Sequence, residues 1–142
     1  MYDAIKIARY VIRYEASRNR SVSNLRLQKL LYFIQAQFLF SIHTPCFSDR
    51  IEAWDFGPVV PNVYREYKMF GGARIPESIA EGDFGIEDED KYVINLILEE
   101  CAQYSTTSLV SLTHDQKPWR EAHQNPFDKT ISNQSIRDFF GG

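Results

Sequence analysis

Residues 23–40, "SNLRLQKLLYFIQAQFLF", constrain the fold more than any other stretch. Leu27, Leu30, Leu31, Ile34, Phe38 and Leu39 recur every three or four residues, the spacing of one helix face. Tyr32, Phe33 and Phe40 widen that stripe until little of the helix is left for water, so other elements must pack around it. Arg26, Lys29 and Gln37 fall off the apolar stripe. Ser23 or Asn24 is suited to cap the start, a side-chain oxygen accepting an orphan backbone N–H.

The rest of the chain reads as shorter helices around this one. Residues 3–15 place Ile5, Ala8, Val11 and Ile12 at helical spacing, with Lys6, Arg9 and Arg13 on another face. "FSDRIEAW" spaces Phe47, Ile51 and Ala53 among polar neighbours, which predicts a short strand or extended stretch. Gly57 can take backbone angles closed to other residues, and Pro58 biases it away from the right-handed helical region. Pro61 suits the first turn of a helix over residues 62–70, with Val63, Tyr67 and Phe70 on one side and Gly71-Gly72 as its stop.

Residues 73–90, rich in turn formers and acids, predict a surface loop with a short turn or strand. The acids at 87–90 open the next helix, where carboxylates meet the positive end of the dipole. Val93, Leu96, Ile97 and Cys101 are its expected buried face, with Tyr104 near its end. "STTSLVSLTHDQKPWREA" predicts two short helices, the first capped by Thr107 or Ser108, the second starting near Pro118 and carrying Trp119. Ser132 or Asn133 caps a last helix bearing Ile136, Phe139 and Phe140. The expected fold is mainly α: a single compact domain over residues 1–142, with six or seven helices and at most a small β-element.

Hydrophobic residues make up 44% of the 142, enough for one core without staples. No run of about 18 apolar residues occurs, so no membrane span is expected. The N-terminus alternates apolar and charged residues, unlike the continuous apolar core of a signal peptide. Cys46 and Cys101 lie far apart without a CxxC pattern, as buried thiols of a reduced, cytoplasmic protein would. The net charge of −3 argues against a general nucleic-acid binder. The charge is uneven, however, basic over the first fifty residues and acidic over 51–101, which suits recognition of a charged protein partner or solubility alone.

No constellation of residues amounts to a reaction centre. His43 and Cys46 have a spacing that metals tolerate, but a zinc site needs three or four protein ligands and no second Cys/His pair exists. Neither cysteine carries a local signature of Cys–His catalysis, and Gly71-Gly72 lacks the Lys and helix of a phosphate loop. No metal and no cofactor is expected. Trp54 and Trp119 read first as packing anchors. Asp55, wedged between Trp54 and Phe56, either turns to solvent or pairs with a cation such as Lys29 or Arg65. Its loop can present Phe56, Val59 and Val60 to a partner, with His114 in a polar contact surface nearby.

Three segments together, "LRLQKLLYFIQAQFLF", "RIEAWDFGPVVPNVYREYK" and "LTHDQKPWREA", resemble the successive signatures of the Panacea domain, the SocA-like antitoxin domain of phage-associated proteins. The closing "ISNQSIRDFF" resembles that family's short final helix, so the likeness spans nearly the whole chain. One departure is at Leu25 or Arg26, where the pattern has a lysine. The resemblance implies a helical, non-catalytic protein that binds and neutralises a co-encoded toxin, directly or as an adaptor that delivers it to a bacterial protease. It carries over the motif positions Gln28, Lys29, Tyr32, Trp54, Gly57, Pro58, Pro61, Thr113, His114, Pro118 and Trp119, shared for folding as much as for binding. Joined to the residue-level reading, it makes Lys29, Tyr32, Trp54, Asp55, Phe56, Gly57, Pro58, Arg65, His114 and Trp119 the partner-binding candidates. The alternatives are a prophage accessory protein with a regulatory nucleic-acid role and a hydrolase using His43, Cys46 or His114.

Overall fold

The computed structural model describes residues 1–80 and 84–141. Among the described residues seven α-helices and three short strands follow in the order α1 (Ala4–Ser17), α2 (Asn24–Ser41), β1 (Ile51–Trp54), β2 (Gly57–Val59), α3 (Pro61–Tyr67), α4 (Asp88–Cys101), α5 (Thr106–His114), α6 (Lys117–Gln124), β3 (Thr130–Ile131) and α7 (Asn133–Gly141). The fold is mainly α with a small β-element, as the periodicities predict.

α2 is the axis of the molecule. Leu27, Leu30, Leu31, Tyr32, Ile34 and Leu39 are fully buried, and the helix packs against α1, α3, α4, α5, α7 and β2. Ser23 caps it, Oγ accepting from Arg26 N at 3.2 Å. Arg26 reaches across to the end of α4, donating to Cys101 O at 2.9 Å, where a cation suits the negative end of the helix dipole. Lys29 departs from expectation: it lies off the apolar stripe, yet it is 0% exposed.

α1 and the residues just before it are joined to α4 by tyrosines. Tyr2, Tyr10 and Tyr14 donate their hydroxyls to Asp90 Oδ2 (2.5 Å), Asn95 Oδ1 (2.6 Å) and Glu99 Oε2 (2.7 Å). In α1 Ile7 is fully buried and Ile5 only in part. α4 is turned from its expected phase: Ile94, Leu98 and Cys101 are buried, while Leu96 is exposed and Val93 and Ile97 are half-buried. That helix carries apolar residues on two faces, and packing on α2 selects between them.

The strands form one antiparallel sheet in the order β2-β1-β3. Pairing of Trp54 with Gly57 leaves Asp55 and Phe56 as a two-residue hairpin loop. β2 is an edge strand, the sheet position that tolerates Pro58. Pro61 opens α3, which tightens after Tyr67 into a 3-10 turn, Lys68–Phe70, and stops at Gly71, at φ +56°. A second 3-10 turn, Glu77–Ala80, lies in the loop expected over residues 73–90, of which 81–83 fall outside the described residues. α5 is capped by Ser105, not by Thr107 or Ser108, with Oγ accepting from Ser108 N. Ser132 caps α7. Among the described residues no helix is long and apolar enough to cross a membrane.

Candidate functional site

The chain leading into β1 and the outer strand β2 with its exit need partners for their backbone groups, and side chains of α2 supply them. Gln28 Oε1 accepts from Val60 N at 2.9 Å, and its Nε2 donates to Asn24 Oδ1 at 2.9 Å. Lys29 Nζ donates to Pro58 O at 2.9 Å. Two turns further on, Gln35 Oε1 accepts from Cys46 N (2.8 Å) and Phe47 N (3.2 Å), while its Nε2 donates to Phe47 O. Tyr32 OH donates to Gln116 Oε1 at 2.7 Å, tying α2 to the start of α6. Gln28, Lys29 and Gln35 are buried because each completes a hydrogen bond that the extended chain cannot make within itself.

Lys29 is the costly member. Burial strips water from its ammonium group and lowers its pKa to about 7. Directly above it, Gly57 holds φ +108°, and a Cβ there would lie 2.7 Å from Lys29 Cε and 2.8 Å from Thr113 Oγ1. Only a glycine allows the hairpin to come this close to α2 and α5.

The tip beyond Gly57 is gripped from the other side by α5 and α6. Trp119 Nε1 donates to Trp54 O at 2.8 Å. The Trp119 ring is sandwiched between His114 and His123, with centroids at 4.2 and 4.4 Å. His114 Nε2 lies 3.0 Å from Asp55 O, and since a carbonyl only accepts, this nitrogen carries the proton. His123 Nε2 lies 2.9 Å from Asp55 Oδ1. Of the two outcomes expected for Asp55, the turn to solvent holds, its side chain being 88% exposed. The cations named for it do not pair with it, since Lys29 is bound to Pro58 and Arg65 to Asn62 Oδ1, and its carboxylate meets a histidine sixty-eight residues downstream. Trp54 packs edge-on against Tyr64 at 4.9 Å and donates Nε1 to Glu52 Oε1.

The candidate residues thus separate into layers. Lys29, Tyr32, Gly57 and Pro58 are buried under the tip; Trp54, His114 and Trp119 are half-buried and hold it; Asp55, Phe56 and Arg65 are exposed. Phe56 stands 66% exposed on a backbone fixed at both neighbours. Replacing Trp119 with Phe keeps an aromatic ring between the two histidines, though a smaller one, and removes the bond to Trp54 O. A loss of about 1 kcal/mol in stability is expected, together with faster amide exchange at Asp55 and Phe56.

His123 and Phe127 were not singled out from the sequence. His123 follows Trp119 by four residues, the spacing that puts two side chains on one helix face, so this signal was available. Phe127 is 95% exposed on a loop closed by Asn125 Oδ1, which accepts from Phe127 N and Asp128 N. Ala53 N donates to Lys129 O, carrying the β1–β3 pairing toward the tip and bringing this loop beside it.

Both thiols are buried, and burial pushes them up, that of Cys101 to about 12, so neither is poised as a thiolate. Among the described residues no group of three or more His, Cys, Asp or Glu is placed to hold a metal ion.

Most of the central helix, the glycine-proline elbow, α5 and the start of α6 with Trp119 lie within one stretch of sequence, and that stretch is a recognisable unit. Residues 27–120 match the family described as antitoxin SocA-like, Panacea domain, and the chain belongs to this family. Among named relatives, antitoxin SocA of Caulobacter vibrioides is 33% identical over 128 residues, covering 82% of this chain and 68% of that protein. No solved structure matches the chain significantly.

Proposed function

We propose that this protein neutralises a co-encoded toxin by binding it, with the hairpin tip at Asp55 and Phe56 as the contact, His114 and Trp119 beside it, and Arg65 of α3 as a further contact residue. The observation that carries this reading is the exposure of Phe56 on a backbone held by α2 beneath and by α5 and α6 beside it. A large apolar side chain held in place before contact loses little conformational freedom when a partner covers it. Family membership supports the toxin as that partner. The role is non-catalytic and cytoplasmic, consistent with two buried, unactivated thiols. The same contact serves direct inhibition or delivery of the toxin to a protease, and toxin levels in cells tell these apart.

The test is co-expression with the product of the neighbouring gene. That product is expected to be toxic alone and harmless beside the wild-type protein. Phe56→Asp is expected to lose both protection and co-purification while its melting temperature stays within about 2 °C, because an exposed substitution costs roughly 0.5 kcal/mol or less. A neighbour that is harmless alone, or a Phe56→Asp protein that protects as well as wild type, overturns the reading.

A further inference from the structure

α2 has a second apolar face that the described chain covers only in part. Phe33 and Phe40, two turns or about 10 Å apart along the helix, form the floor of a groove of about 330 Å³. Ile97 of α4, Leu112 of α5 and Phe140 of α7 wall it, with Tyr104 at one end. Phe40, Tyr104 and Leu112 are 49%, 45% and 43% exposed, so three large apolar side chains that converge on one concavity remain wet. Apolar side chains gathered in one concavity, unlike ones scattered singly over a surface, give a partner something to fill.

The shape and charge of the groove select its occupant. A helix as floor with helices as walls accepts a further helix, whose side chains at i, i+3 or i+4, and i+7 match two turns of floor. The charged residue in the lining is Glu100, exposed and outside every ion pair of the described residues. Its neighbour Glu99 is engaged by Arg18 and Arg20, which leaves the Glu100 carboxylate to a cation from outside. A second copy of this chain does not supply one: a two-fold pairing on this face meets concave surface with concave surface and puts Glu100 of both copies into one interface.

We propose that the groove between α2, α4, α5 and α7 binds an amphipathic helix of a partner protein, apolar along one stripe with a Lys or Arg beside it facing Glu100. This surface shares no residue with the hairpin tip and does not depend on the identity of the toxin. The experiment uses the full chain and two labelled designed helical peptides, identical in their leucine stripe, one carrying lysines beside it and the other glutamates. By fluorescence anisotropy the lysine peptide is expected to bind saturably and more tightly than the glutamate peptide. Leu112→Asp and Glu100→Lys are each expected to weaken it about tenfold or more, and Glu100→Lys to shift preference toward the glutamate peptide. Met69→Asp, at an apolar residue 80% exposed outside the groove, is expected to change nothing. Because Leu112 and Glu100 are both exposed, the variants are expected to melt with the wild type.

Absence of binding, or binding that neither groove variant weakens, overturns the proposal. So does a wild-type dimer in sedimentation that Leu112→Asp dissociates, since a second copy would then be the occupant. Loss of toxin protection in Phe56→Asp bears on the hairpin tip alone, and loss of peptide binding in Leu112→Asp on the groove alone, so the two readings fail separately.

Discussion

Gly57→Ala is expected to destabilise the protein by about 4 kcal/mol and to lower its melting temperature by roughly 10 °C. Two costs add. The backbone at φ +108° lies where an L side chain is strained, and the new methyl group would sit 2.7 Å from Lys29 Cε and 2.8 Å from Thr113 Oγ1. Neither neighbour can give way easily: Lys29 and Thr113 are both 0% exposed and held by hydrogen bonds to Pro58 O and Val110 O. Gly72→Ala is the control, because its Cβ would enter open space and its backbone is ordinary. Thermal melts of the two variants check the claim. A Gly57→Ala protein that melts with Gly72→Ala would mean the hairpin is not seated on Lys29.

Lys29→Met is expected to reverse its effect with pH. The wild-type amine has a folded pKa of about 7 against 10.5 when unfolded, so the unfolded chain binds more protons between these values and wild-type stability rises with pH across that window. Below pH 7 the penalty for burying the charge is fully present, about 5 kcal/mol at roughly 1.4 kcal/mol per pKa unit. Methionine removes that penalty but leaves Pro58 O without its donor, a loss of about 1–3 kcal/mol. The variant is therefore expected to be more stable than wild type in acid and less stable near pH 10, the two curves crossing between about pH 8 and 10. Urea titrations of both proteins across this range measure the difference directly, and groups common to both cancel. A variant less stable at every pH would show that the lysine is charged and satisfied in the folded state.

The frame of the protein was legible because its strongest signals are local. A stripe of Leu, Ile and Phe with helical spacing specifies α2 whatever surrounds it, and Gly57, Pro58 and Pro61 specify the elbow by their own backbone limits. Hydroxyl runs such as "STTS" leave the cap ambiguous within a turn, which is why Ser105 displaced its neighbours at the start of α5. Lys29, Gln28 and Gln35 were not legible as interior residues. Polarity assigns them to water, and only the approach of Cys46, Phe47, Pro58 and Val60, eleven to thirty-two residues away, creates the backbone groups they satisfy. The tip followed the same division. Phe56 was read on a presented loop with His114 nearby, and it is exposed, but Val59 and Val60, read beside it, are buried where β2 runs down onto α2. His123 as partner of Asp55 depends on how α6 docks.

The layering of the hairpin tip has an evolutionary consequence. The Phe56 side chain points outward and adds nothing to the buried core, so its identity can drift without a folding penalty while the elbow beneath it stays fixed. On the proposed reading of the tip as the contact, recognition can be rewritten at the summit of the turn while the glycine one residue below stays fixed by its backbone.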